Sequence, residues 1–110
     1  MPHHILFYDY VDDVLERRGP FRDEHLARIG AWRADGRIVM AGALGDPEPD
    51  DLTAAHQSEA ECRAGRKVKG AAIVFADGVQ PREIEEFAAS DPYVVGGIVT
   101  GRRVERWNVV

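Results

Sequence analysis

The sequence predicts an α+β domain in which the elements follow the order β-α-β-β-α-β. Three observations carry this. Four short runs rich in β-branched, aromatic and small apolar residues are spaced along the chain. Two segments open with proline and place apolar residues at helical spacing. The length, 110 residues, suffices for one compact domain, 1–110, with one core.

"HHILFYDYV", His3 to Val11, reads as the first strand, with Ile5 and Phe7 on one face and Leu6 and Tyr8 on the other. "DDVLERRGP" is a connection with room for a helical turn, which Gly19 interrupts. The first long helix then runs from Pro20 to Ala34 and stops at Asp35-Gly36, where glycine suits a left-handed cap. At about 100° per residue, Phe21, Ile29 and Trp32 share one stripe, and His25 falls in the middle of it. "RIVMAGAL", Arg37 to Leu44, is a second strand that is apolar on both faces.

Gly45 to Gly70 is different: polar, opened by Pro47 and Pro49, and without strand period. A connection this long in so small a domain is functional or disordered, and Leu52 to Arg63 has the composition for one or two helical turns. "AAIVFAD", Ala71 to Asp77, is the third strand. "VQPREIEEFAAS" is the second helix, with Pro81 in its first turn, Glu83 near its positive end and Ile84, Phe87 and Ala88 on its buried edge. Asp91 before Pro92 is a natural N-cap for a short turn. "IVTGRRVERWNVV" is the last strand, with a bulge or bend expected at Gly101. The order matches the ferredoxin-like pattern, an antiparallel sheet with both helices on one face.

Two helices cover one face of such a sheet, yet the first three strands are apolar on both sides. An exposed apolar sheet marks an interface, and a second copy packed sheet to sheet about a two-fold axis covers it most simply. A homodimer through the sheet faces is therefore expected; the alternative is the Gly45–Gly70 loop folding over the open face.

Composition narrows the function. Acidic residues outnumber basic ones 19 to 14, for a net charge of −5. The Gly65–Lys69 cluster is too sparse for a phosphate-backbone footprint, so nucleic acid is not an expected partner. A lone cysteine, Cys62, forms no internal disulfide and suits a reducing, cytoplasmic location. The N-terminus lacks the pattern of a signal peptide, and no apolar run approaches the ~20 residues that span a bilayer. His3 and His4 point to opposite faces, and His56 and Cys62 lack the remaining ligands of a zinc site, so no metal is expected. No glycine-rich phosphate loop follows a strand, and no cofactor is implied.

His25 has two readings. A histidine on an apolar helix face is commonly a satisfied core residue. Alternatively, Asp91 at the start of the last strand's approach lies where it can meet the first helix, across the sheet end or across a dimer interface. A carboxylate beside an imidazole fixes its tautomer, as a general base requires.

The stretches "RDEHLARI", "ADGRIVMAGAL" and "FAASDPYVVGGIV", with "VERWNVV" at the C-terminus, resemble the YCII (YciI-like) family of small dimeric α+β-barrel proteins. The resemblance covers nearly the whole chain outside Gly45–Gly70. It implies a ferredoxin-like fold whose sheets pair face to face as a barrel, and an active site built on a His–Asp pair that falls on His25 and Asp91. It also places a basic substrate contact at Arg18. Tyr93 either donates a hydrogen bond or packs its ring, and Gly42 allows close approach of a ligand. Ala43 stands where the family has proline, and the Gly45–Gly70 connection is longer than the family's.

Two functions from different classes follow. One is a small-molecule enzyme in which His25 abstracts a proton, Asp91 orients it and Arg18 holds an anionic group, for isomerisation, elimination or lactone-type chemistry. The other is a non-catalytic dimeric module that binds a ligand or a protein.

Overall fold

A computed structural model describes residues 2–47 and 68–110. Strands β1 (His3–Tyr10), β2 (Ile38–Gly45), β3 (Val68–Phe75) and β4 (Val99–Trp107) form one antiparallel sheet in the order β2-β3-β1-β4. Helix α1 (Val14–Arg17) is a single turn, α2 (Gly19–Ala34) is the long helix, and α3 (Pro81–Ala89) and α4 (Pro92–Val95) precede β4. β1 and β2 run in the same direction with β3 between them, which is the split βαβ arrangement of the ferredoxin-like fold.

Strand alternation sorts the two faces. On β1, Leu6 and Tyr8 are buried beneath the helices, opposite Ile73 and Ala71 of β3. Ile5 and Phe7 point the other way, beside Val74 and Ala72. Met40 and Leu44 continue that second face on β2 and stay exposed, Met40 at 56%. The helix-side core joins Leu6, Ile38, Ile73 and Phe75 to Ile84 and Phe87 of α3. At its edge Trp32, Phe75 and Phe87 meet edge to face, with centroids 4.9–5.8 Å apart. A smaller cluster of Val14, Tyr93 and Ile98 closes the other end of α2.

Turn and cap chemistry sets the boundaries. Gly36 takes a φ of 84° after α2, and the Asp35 carboxylate accepts from the backbone N–H and the Nε–H of Arg37. Gln80 and Glu83 form a reciprocal capping box at the start of α3. The register slips between Asp9 and Tyr10 opposite Gly101 and Val99, which is the irregularity expected at Gly101.

Several boundaries differ from the sequence reading by one to three residues, because hydrogen-bonded pairing rather than hydropathy decides the strand ends. β3 begins at Val68 instead of Ala71, since Val68 still has Gly45 to pair with and Lys69 reaches Asp46 at 2.9 Å. β4 stops at Trp107, where its partner His3 begins β1, instead of at Val110. α2 gains Gly19 at its start. The helical turns expected over 52–63, along with His56 and Cys62, lie outside the described residues. Among the described residues no helix is long and apolar enough to cross a membrane.

Two glycines in contrasting surroundings test this packing. A Cβ at Gly96 would sit 2.7 Å from the Phe21 ring, whereas at Gly30, inside α2, it meets nothing within 4 Å. Gly96→Ala is expected to lower the unfolding free energy by about 1–3 kcal/mol through overpacking. Gly30→Ala should raise it by about 0.4–1 kcal/mol by restricting the unfolded chain. Urea unfolding monitored by circular dichroism checks both signs.

Candidate active site

The site begins with the Asp-Pro-Tyr corner. Asp91 has extended backbone (φ −65°, ψ 128°) and Pro92 opens α4 with its φ preset. As the sequence predicts, the Asp91 carboxylate caps this turn: Oδ1 accepts the Tyr93 N–H at 3.0 Å. The same oxygen lies 2.8 Å from His25 Nδ1, so Asp91 both caps α4 and contacts α2 within one chain. Its other oxygen, Oδ2, accepts the Tyr8 hydroxyl at 2.9 Å.

Asp91 is 0% exposed and His25 5%. A carboxylate removed from water in this way is tolerated only when its lone pairs are occupied, and three donors from three elements occupy them. Tyr8 and Tyr93 can each only donate to this carboxylate. With the Asp91 carboxylate as acceptor, the network places a proton on His25 Nδ1, and in the neutral ring the lone pair then falls on Nε2.

Position is enforced from both sides. The Tyr93 ring stacks flat on the imidazole, with centroids 3.7 Å apart and planes 8° from parallel. Tyr10 meets Tyr93 edge-on at 5.8 Å. From α2, one turn below His25, Arg28 Nη2 donates to the Phe87 carbonyl at 3.0 Å and to Ser90 Oγ at 2.8 Å. Its guanidinium rests 4.6 Å from the Phe87 ring centroid, so the end of α3 is stapled to α2 immediately before Asp91.

Burial, followed by the negative Asp91 carboxylate, pushes the Tyr8 phenol far above its ordinary range, so Tyr8 stays a neutral donor. Tyr10 is also raised, by burial first and then by Tyr93 and Asp91, while Arg18 and Arg22 pull the other way.

His25 forms part of the wall of a cavity of about 280 Å³ between α2 and the β2–β3 side of the sheet. Arg18, Gly42 and Tyr93, the other residues singled out in the sequence, line the same cavity. Gly42 borders it through its backbone; in the strand alternation its side-chain position falls with Met40 and Leu44 on the open sheet face. Tyr93 packs its ring, and among the described residues no hydrogen-bond partner reaches its buried hydroxyl. No group of three His, Cys, Asp or Glu side chains gathers among the described residues as a metal centre would require.

Sequence reasoning missed Tyr8, Tyr10 and Arg22. Tyr8 was placed on a strand face, but its meeting with Asp91, 83 positions away, depends on how the sheet and α4 come together. Arg22 had a readable signal: it follows Arg18 by four residues, one helical turn on the same face.

The comparisons with known proteins agree with this architecture. No family model matches the chain. An uncharacterized protein of Haemophilus influenzae is 29% identical over 96 residues, covering 87% of this chain and 86% of that protein. Among solved structures, the chain is similar to 5-chloro-2-hydroxyhydroquinone dehydrochlorinase (TftG) from Burkholderia phenoliruptrix AC1100, solved in complex with 2,5-dihydroxybenzoquinone. The TM-score is 0.68 at 20% identity, over 96% of this chain and 93% of TftG, and the likeness establishes the α+β ferredoxin-like fold.

The buried Tyr8 phenol yields a pH prediction. In the unfolded chain a tyrosine ionises near pH ~10. Folding raises the value for Tyr8, so its contribution is fully present below that pH and is lost as pH rises beyond it. Unfolding free energy should therefore fall above pH ~10, and less steeply in Tyr8→Phe. At neutral pH the same substitution leaves Asp91 Oδ2 without its donor and should cost about 1–3 kcal/mol. Denaturant titrations at stepped pH check both.

Proposed function

We propose that the protein is a small-molecule enzyme of the YCII type, in which His25 Nε2 is a general base and Asp91 orients the ring and stabilises its protonated form. The observation that carries this is the 2.8 Å contact between His25 Nδ1 and a fully buried Asp91, made at the wall of a cavity. Nε2 takes a proton from a carbon of a bound organic acid or cyclic compound, and the C–H electron pair moves into the adjacent π-system. In an isomerisation the proton returns at another carbon; in an elimination a leaving group departs with its bonding pair. For lactone opening the base instead takes the proton of a water molecule, whose oxygen attacks the carbonyl carbon; the ring C–O bond then breaks and the departing alkoxide takes the proton back from the imidazolium. TftG, the structural neighbour, is named a dehydrochlorinase, and elimination is among the reactions this arrangement suits.

Arg18, Gly42 and Tyr93 are the substrate-contacting residues of this reading, all three lining the cavity. The functional unit is a homodimer paired through the open sheet faces. Ile5, Phe7, Val74, Met40 and Leu44 give that face an apolar centre, with Arg103 lying 4.3 Å from the Phe7 ring centroid beside it.

The test of the chemistry is hydrogen–deuterium exchange into a panel of small enolisable carbonyl acids in D₂O, followed by NMR. Wild type should accelerate exchange, and His25→Ala should lose about 10²–10⁴-fold while keeping its circular dichroism spectrum. Exchange that is absent, or that survives in His25→Ala, favours the ligand-binding module instead. For the dimer, light scattering should give twice the chain mass for wild type and a single chain mass for Met40→Asp, because a charge placed in an apolar interface costs several kcal/mol. A wild-type monomer would contradict the pairing.

A further inference from the structure

Resting on this reading of the cavity, we infer that the ligand is a carboxylate of ring size, anchored by Arg18 and Arg22 together. Both arginines line the cavity together with the part-buried Tyr10, whose phenol is raised less by burial than it would be without their positive charge. Arg18, the N-cap of α2 with helical backbone angles, and Arg22, His25 and Ile29 within α2 succeed one another at steps of four, three and four, so they share one face of the helix. Two cations and one base are thus presented in a row by a single rigid element.

The surroundings make the pair meaningful. The chain carries a net charge of −5, so its overall field repels anions. Two arginines one turn apart on the wall of a largely apolar hollow reverse that field locally. An arginine presents a planar fork of donors that matches a carboxylate. Behind the arginines the hollow is bounded by Leu26 and Ile29 of α2 and by Ala41, Ala43 and Ala71 of the sheet. Ala43 pairs with Ala71, so small side chains leave room where larger ones would meet the helix. The hollow therefore takes a hydrocarbon body.

The helix also sets the length. At 1.5 Å per residue, His25 stands about 4.5 Å beyond Arg22 and about 10 Å beyond Arg18 along the axis. A ligand gripped at its carboxylate places a ring carbon, or a carbon several bonds down a chain, beside Nε2. The carbon attached directly to the carboxylate stays near the arginines.

Calorimetric titration of the full-length chain with benzoate and its neutral isostere benzamide tests this, with phenylacetate as a longer carboxylate. Benzoate should bind at least about tenfold more tightly than benzamide, the preference of a charge-assisted site, and phenylacetate should share it. Raising the salt concentration should weaken the preference, Arg22→Gln should reduce it, and Arg18→Gln/Arg22→Gln should abolish it. Ala43→Leu, at an exposed strand position, should block all three ligands by filling the hollow. Equal binding of benzoate and benzamide, no binding of benzoate, or a preference that survives the double variant overturns the inference. Deuterium exchange by the wild type separates this from the catalytic reading, because benzoate binding needs no proton transfer. A wild type that prefers benzoate but catalyses no exchange refutes the base and leaves the anchor standing.

Discussion

One carboxylate ties the structure together. Asp91 has no exposed surface, and its two oxygens accept from Tyr8 on β1, His25 on α2 and the Tyr93 backbone at the start of α4. A buried charge of this kind is costly unless every partner is in place, so the pieces hold one another in register. Shift α2 along the sheet and Asp91 loses its imidazole. Unwind α4 and Oδ1 loses its backbone donor. The arrangement makes the packing of α2, β1 and α4 interdependent, and it is also what turns His25 toward the cavity. Stability of the fold and orientation of the imidazole come from the same three hydrogen bonds.

Much of this was legible in the chain. Alternation along "ILFY" separated Leu6 and Tyr8 from Ile5 and Phe7, and the buried and part-buried faces follow that division. The odd placement of His25 on an apolar stripe marked the site, and the Asp-Pro pair marked a cap. The two readings of Asp91, as helix cap or as histidine partner, proved compatible, since Oδ1 serves both. Tyr8 was not legible, because a bond between residues 8 and 91 is a product of tertiary packing that no local period encodes. Strand ends were missed for a similar reason: Lys69 is polar and reads as loop, yet the ladder with β2 and its contact to Asp46 hold it in β3.

The fold also explains why the hollow lies where it does. In a split βαβ unit the helix crosses from β1 to β2, so α2 lies over the strands it connects and over β3 between them. The aromatic group of Trp32, Phe75 and Phe87 fills the C-terminal half of that crossing. Under the N-terminal half the sheet offers alanines, and the space stays open. The arginines, the imidazole and the apolar walls then follow from which residues of α2 face downward. The opposite sheet face carries Ile5 and Phe7 of β1 and the exposed Met40 and Leu44 of β2.

The claim on which the functional account rests is that His25 holds its proton on Nδ1 and offers Nε2 to the cavity. Long-range ¹H–¹⁵N correlation of the imidazole near neutral pH measures this directly. The account predicts a protonated Nδ1 and an unprotonated Nε2, with the pattern lost when Asp91 is replaced by alanine. A ring carrying its proton on Nε2, or one indifferent to Asp91, would contradict it.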